Sequence, residues 1–240
     1  MKNLLLERLS REMDAKLSGG IYHMTQVLFS YNSNKIEGSN LSEEQTRLIY
    51  ETNTIGADKA TAICVDDITE TKNHFRCVDH VILNAGKTLD VEIIKQLHRT
   101  LKQGTKNAGK DWFGLGEWKV LPNTVRGRHT TPPEKVDSEI KKLIDSYNSI
   151  KKKTFEDIID FHYHFELIHP FQDGNGRVGR LVMFKECLAH GITPFILTHE
   201  QKYFYYRGLS EYPKEKGYLI DTCCLAQDAY KEWMSYFQIP

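Results

Sequence analysis

HPFQDGNGRVGR, residues 169–180, places a histidine, an aspartate, two glycines flanking an asparagine, and two arginines within twelve positions. A histidine can take up a proton near neutral pH, an aspartate offers hard oxygen ligands to a cation, and glycines let backbone N–H groups approach an anion. Just upstream, Ile158, Phe161, Phe165 and Ile168 recur every three or four residues. That spacing predicts a helix held against a core, with His169 delivered at its end. Pro170 lacks an N–H and Asp-Gly-Asn-Gly does not readily extend a helix, so a turn is forced. A second helix is predicted to open around Gly176 or Arg177, burying Leu181, Phe184 and Leu188. Its unpaired N–H groups and dipole then point into the loop, a place suited to phosphate. Arg177 and Arg180, three residues apart, lie on one side of its first turns and can reach one ligand together. The stretch describes a polyphosphate site with a general base beside it.

Outward from this loop the chain reads as a succession of helices. Apolar periodicity covers residues 2–16 and about 20–37, and Ser42 with Gln45 forms a capping box for a helix through Tyr50. Asp66 or Asp67 can open the helix DITETKNHFRCVDHVILNA, and EIIKQLHRTLKQG follows with Ile93, Ile94, Leu97 and Leu101 on one face and Gly104 as its stop. Between Gly104 and Pro133 glycines and prolines accumulate, and the runs Glu117–Leu121 and Thr124–Arg128 flank Pro122-Asn123, which predicts a small β-hairpin. Helical periodicity returns over about 134–147 and 155–168, then over about 177–190, 199–211 and 218–237. The expected fold class is mainly α, with one hairpin. No repeat or Pro/Ser linker marks a second globular domain.

Composition narrows the setting. The 32 Lys+Arg balance the 32 Asp+Glu, so the global basic field of a nucleic-acid binder is missing. Five cysteines, an odd number with no C-x-x-C pair, suit a reducing compartment. The stretch MKNLLLERLSREMD lacks the apolar run of a signal peptide or membrane span. A cytoplasmic protein with no membrane partner is the expectation.

Other readings of the same residues are weaker. Gly174, Gly176 and Gly179 satisfy G-x-G-x-x-G, but a dinucleotide fingerprint needs a strand before it and here a helix comes first. No Lys-Ser or Lys-Thr follows the glycines, so the stretch is not a P-loop. His162 and His164 are two apart on a helix and point apart, which disfavours a zinc site with His169 and Asp173; His162 is expected as a hydrogen-bonded core residue. Read singly, each loop residue fits an ordinary helix–turn–helix corner. Read together, they do not.

HPFQDGNGRVGR resembles the signature of the Fic family of protein adenylyltransferases, H-x-F-x-D/E-G-N-G-R-x-x-R, at every fixed position. DDITETKNHFR, IIKQLHRTL and FHYHFELIHPF also resemble the helices around that signature, so the similarity extends over about residues 60–210. The resemblance implies a single Fic-type helical domain with a β-hairpin flap and an N-terminal inhibitory helix. Residues 1–60 would be the helical region carrying that helix, and residues 61–240 the catalytic domain with its C-terminal helices. It implies that a target hydroxyl attacks the α-phosphate of ATP and that AMP is attached to Ser, Thr or Tyr. His169 would be the general base, and Asp173 would hold Mg²⁺ across the α- and β-phosphates. Gly174, Asn175 and Gly176 would form the anion nest; Arg177 would meet the β-phosphate and Arg180 the γ-phosphate. Tyr206 matches an adenine contact, whereas Tyr203, Phe204 and Tyr205 are expected mostly in the core. A glycine at 176, where kinase-type relatives carry lysine, favours AMP transfer.

A second element, Ser33-Asn34-Lys35-Ile36-Glu37-Gly38, resembles the family's inhibitory motif S/T-x-x-x-E-G/N. Ser33 and Glu37 stand one helical turn apart and can face one neighbour. By resemblance Glu37 pairs with Arg180, which keeps that guanidinium from the γ-phosphate; in some relatives the same glutamate orients a water that removes AMP again. The segment around 118–129 resembles the flap on which a target peptide docks by strand pairing. Relatives often form dimers or larger assemblies, so the resemblance leaves room for a homo-oligomer. Two other functions stay open at this point: a nucleotide-sensing protein with vestigial catalysis, and a transferase using another nucleotide or diphosphate donor.

Overall fold

The computed structural model describes residues 3–56, 62–125 and 127–240. The boundary expected between residues 60 and 61, and the first helix's expected start at residue 2, lie outside them. Among the described residues the chain forms ten α-helices and one two-stranded hairpin. In order they are α1 Leu4–Asp14, α2 Ile21–Ile36, α3 Glu43–Thr52, α4 Val65–Leu83, α5 Val91–Lys102, β1 Thr124–Val125, β2 Arg128–His129, α6 Pro133–Ser149, α7 Phe155–Ile168, α8 Asn175–Ala189, α9 Lys202–Glu211 and α10 Gly217–Tyr236. None of them is long and apolar enough to cross a membrane.

Helix α8 sits at the centre, touched by α2, α4, α5 and α7. Val178, Leu181, Val182, Met183, Phe184, Cys187 and Leu188 are all buried, as they must be in a helix apolar on every side. Two of its four buried charges, Lys185 and Glu186, pair at 2.7 Å, and the lysine also reaches the Lys87 carbonyl. Buried charges survive only with such partners. Leu5, Leu9, Ile21, Phe29 and Ile36 of α1 and α2 join the same core as α4–α8. The helix that carries Ser33 is therefore fixed against α8 by apolar packing before any polar contact is considered.

Three local expectations are corrected. The hairpin pairs Thr124 with His129 and Val125 with Arg128, not Glu117–Leu121 with Thr124–Arg128. Gly127, at φ +74°, supplies the positive dihedral that a tight hairpin turn needs. Residues 119–121 are engaged elsewhere: the Lys119 N–H donates to the Pro170 carbonyl at 2.8 Å and the Leu121 N–H to Gln172 Oε1 at 3.3 Å. Helix α8 opens at Asn175, one residue early, because the Asn175 side chain folds back on Phe171, accepting from its N–H at 2.8 Å and donating to its carbonyl at 2.9 Å. Gly174 caps it at φ +83°, a left-handed conformation suited to glycine. On α9 the aromatic run divides: Tyr205 is 1% exposed, but Tyr203 and Phe204 are 72% and 56% exposed. The helix buries only Tyr205, whose hydroxyl meets His162 of α7, and Gly208, which lies against Leu219 of α10.

Helices α7 and α8 approach through Gly179, where a Cβ would fall 2.7 Å from the His162 ring. That ring is 1% exposed and bonded to the Tyr205 hydroxyl at 2.7 Å, so it has nowhere to retreat. Alanine in a helix is worth about 1 kcal/mol over glycine, but a methyl forced into a packed core costs about 1–3 kcal/mol. Overpacking wins here: Gly179→Ala should lower the urea midpoint, and a midpoint equal to or above the parent's would show that His162 can yield.

Candidate active site

Helix α7 is opened by a capping box, Thr154 with Asp157, and closed by His169 itself. His169 sits in the left-handed region, φ 52° and ψ 63°, with its N–H on the Phe165 carbonyl at 2.9 Å. This conformation is uncommon for a non-glycine residue and turns the chain out of the helix into the loop. Its side chain is 18% exposed, and Nδ1 lies on the protein side, 3.9 Å from a Glu166 carboxylate oxygen. Burial, then the nearby Lys119 ammonium, push its pKa down to about 4 against the opposing pull of Glu37 and Glu166. The ring is thus neutral at working pH, the form a base requires.

The loop is anchored at Phe171, which is fully buried and stacked on the His98 ring of α5 with centroids 4.0 Å apart. His98 accepts the Gly116 N–H on Nδ1 at 3.0 Å, which leaves its proton on Nε2 facing the Asp173 carbonyl at 3.2 Å. Burial and then Lys102 lower its pKa to about 3, so this tautomer persists. Asp173 accepts the Gly174 N–H at 2.6 Å and the Lys102 ammonium at 2.5 Å. Burial alone would raise its pKa, but Arg177 and Lys102 outweigh it and hold the carboxylate at about 2.

The two arginines stand apart. Arg177 is ion-paired to Glu70 of α4, with Asn34 Oδ1 at 3.3 Å and Asp173 at 3.6 Å. Glu70 also binds Lys102. Arg180 donates through Nε to Ser33 Oγ at 3.1 Å, and through Nη2 to the Ser33 carbonyl at 2.9 Å and Glu37 Oε1 at 2.7 Å. Burial raises the Glu37 pKa, yet Arg180 and Arg177 prevail and lower it. Gly176 lies under this pair, since a Cβ there would come within 2.3 Å of Glu37 Oε1. Ser33, Glu37 and Arg180 thus meet directly, while Lys102, Glu70 and His98 are site residues that the loop motif did not reveal. His98 and Glu70 left a signal, as the histidine of IIKQLHRTL and the glutamate of DDITETKNHFR.

Tyr206 faces a different wall. It lines a cleft of about 210 Å³ between the hairpin, α7 and α9, together with Val125, His129, Tyr163, Glu166 and Leu209. The cleft is mainly apolar and has the Tyr163 and Tyr206 rings in its lining, suited to a planar ring. At the other end, no cluster of three or more His, Cys, Asp or Glu side chains exists among the described residues. A magnesium ion does not need one, because it binds through one or two carboxylates and completes its shell with phosphate oxygens and water. Asp173, ionised and already bearing a cation in the form of Lys102, fits that role.

The N-terminus of a buried helix, two guanidiniums and a neutral imidazole thus gather around one loop of a mainly helical domain. In comparison with known proteins, residues 88–187 match the Fic/DOC family. The chain is 28% identical over 190 residues to protein adenylyltransferase fic-1 of Caenorhabditis elegans, covering 77% of this chain and 36% of that protein. It is 24% identical over 185 residues to protein adenylyltransferase Fic of Nematostella vectensis, covering 75% of this chain and 42% of that protein. The chain spans about two-fifths of the length of these curated relatives. Among solved structures, a Fic domain containing signaling protein of Bacteroides thetaiotaomicron aligns over 98% of this chain and 91% of its own, with TM-score 0.69 and 23% identity. Fic-1 of C. elegans aligns over 97% and 72%, with TM-score 0.74 and 20% identity. These two similarities show the mainly helical fold.

The depressed His169 pKa has a direct readout. With Lys119, Glu37, Glu166 and Asp173 facing it, the ring should stay neutral from pH 8 down to pH 5 and titrate near 4, against ~6.5 for a free imidazole. Its contribution to stability is then full above pH ~6.5 and lost as the pH falls towards 4. Histidine-resolved NMR titration checks this, and a His169 midpoint near 6.5 would mean that the ring is hydrated.

Proposed function

We propose that this chain transfers AMP from ATP to a Ser, Thr or Tyr hydroxyl of a protein, with release of pyrophosphate, and that the Glu37–Arg180 pair restrains the reaction. The observation that carries the reading is a neutral His169 adjoining the anion-facing N-terminus of α8. The names of the curated relatives support it, as does the phosphate-binding chemistry of the loop.

In this reading the purine lies in the cleft by Tyr206 and the phosphate chain runs along the loop. The N–H groups of Asn175 and Gly176 meet phosphate oxygens, and that of Gly174 joins them once it leaves Asp173, since four N–H groups at a helix start lack intrahelical partners. Arg177 and Arg180 take the β- and γ-phosphates by charge-assisted hydrogen bonds. Magnesium, held by Asp173, would neutralise charge on the leaving pyrophosphate. The target segment docks on the hairpin near 118–129 and brings its hydroxyl to His169. The imidazole takes the hydroxyl proton as oxygen bonds to the α-phosphorus and the bond to the β-phosphate oxygen breaks. Free cysteines throughout suit a reducing cytoplasm.

Restraint follows from the Arg180 contacts. A guanidinium committed to Glu37 and Ser33 is withheld from the γ-phosphate, and the Glu37 carboxylate repels that phosphate as well. Glu37→Gly should therefore raise incorporation of AMP, followed with radiolabelled ATP and by intact mass of the protein. His169→Ala on that background should lower the rate by about 10²–10⁴. Equal labelling of wild type and Glu37→Gly would remove the restraint. An adduct of different mass in a screen of UTP, CDP-choline and ATP would replace the AMP reading.

A further inference from the structure

The hairpin segment does more than flank the cleft; it holds the backbone on both sides of His169. Lys119 donates its ammonium to the Ile168 carbonyl at 3.3 Å and its N–H to the Pro170 carbonyl at 2.8 Å. Asn123 donates Nδ2 to the Phe171 carbonyl at 3.1 Å. Lys119 and Asn123 are also joined, Nζ to Oδ1 at 2.8 Å, and the third N–H of the ammonium reaches Thr130 Oγ1 at 2.5 Å. One side chain thus spans the hairpin base and the end of α7, with every ammonium proton on an oxygen.

That lysine is costly where it stands. It is 4% exposed, and among the described residues no carboxylate lies within ion-pair reach of it. A buried cation served only by neutral acceptors loses hydration that they incompletely replace, and burial pushes its pKa down to about 8. A local function must offset that cost. His169 supplies one, because a left-handed non-glycine residue persists only where its surroundings over-determine it. We propose that Lys119 and Asn123 are positioning residues for His169, pinning the carbonyls before and after it so that the imidazole is aimed into the cleft. The inference rests on the reading of His169 as the base.

The mechanism requires little motion to fail, since a misplacement of about 1 Å can cost about 10²-fold in rate. Lys119→Met, Lys119→Arg and Asn123→Ala should each be made in full-length Glu37→Gly protein. Self-labelling from radiolabelled ATP should fall about 10–100-fold in Lys119→Met with the KM for ATP within about twofold, and Lys119→Arg should restore most of it. Two readouts do not depend on transfer. The His169 midpoint should rise in Lys119→Met as the nearby charge is lost, and amide exchange of His169 and Phe171 should quicken while α8 keeps its protection. Labelling, midpoint and exchange all equal to the parent's would overturn the proposal. If Lys119→Met does not fold, Asn123→Ala decides: slower labelling with faster Phe171 exchange supports it, and unchanged values refute it. If the Glu37→Gly parent takes up no AMP, the proposed activity fails, yet the midpoint and exchange readouts still decide the role of Lys119.

Discussion

Arg177 and Arg180 enter the core on the first turns of α8, and a guanidinium cannot relieve its burial by giving up its proton. The fold must therefore bring oxygens to them. Helix α2 supplies Ser33, Asn34 and Glu37, α4 supplies Glu70, and the loop supplies Asp173, with Lys102 set between Glu70 and Asp173. Three carboxylates thus face three cations in the space where phosphates would lie. Breaking a buried ion pair by removing one partner costs about 3–5 kcal/mol, because the other charge is left without compensation. A phosphate chain that replaces the carboxylates restores that compensation. Ligand affinity and the docking of α2 and α4 on α8 consequently draw on the same cations.

This sharing explains why the region before residue 60 cannot be understood as an appendage. Apolar contacts of Phe29 and Ile36 seat α2 against the core, and that seating places Ser33 and Glu37 one turn apart over Arg180. Helix geometry does the rest, since residues i and i+4 share a face.

How much of this was legible depended on range along the chain. The loop's chemistry was written in consecutive residues, and the Ser33–Glu37 spacing pointed at a partner that the twelve-residue motif contained. Lys102 carried no signal, and Glu70 and His98 carried one only through the stretches that contain them, because only tertiary packing brings α4 and α5 to the loop. The hairpin register was misread for a related reason. Alternation in 117–121 looked like a strand, but Lys119 and Leu121 spend their N–H groups on the His169 loop, and Gly127 rather than Pro122-Asn123 makes the turn. In α9, composition suggested a core cluster, whereas the helix turns Tyr203 and Phe204 to solvent once Gly208 sets its contact with α10.

The position of Glu37 raises one further question, which magnitudes resolve. Its charge lies near enough to His169 to pull the imidazole pKa upward, so a restraint through the base is conceivable alongside one through the phosphates. With the His169 pKa at about 4, however, only about one ring in a thousand is protonated at pH 7. Removing Glu37 lowers that pKa further and leaves the fraction of neutral base essentially unchanged. What does change is Arg180, which loses its carboxylate and becomes free for another anion. In the proposed reaction the restraint would therefore act on where the phosphate chain lies, while the imidazole is neutral whether or not Glu37 is in place.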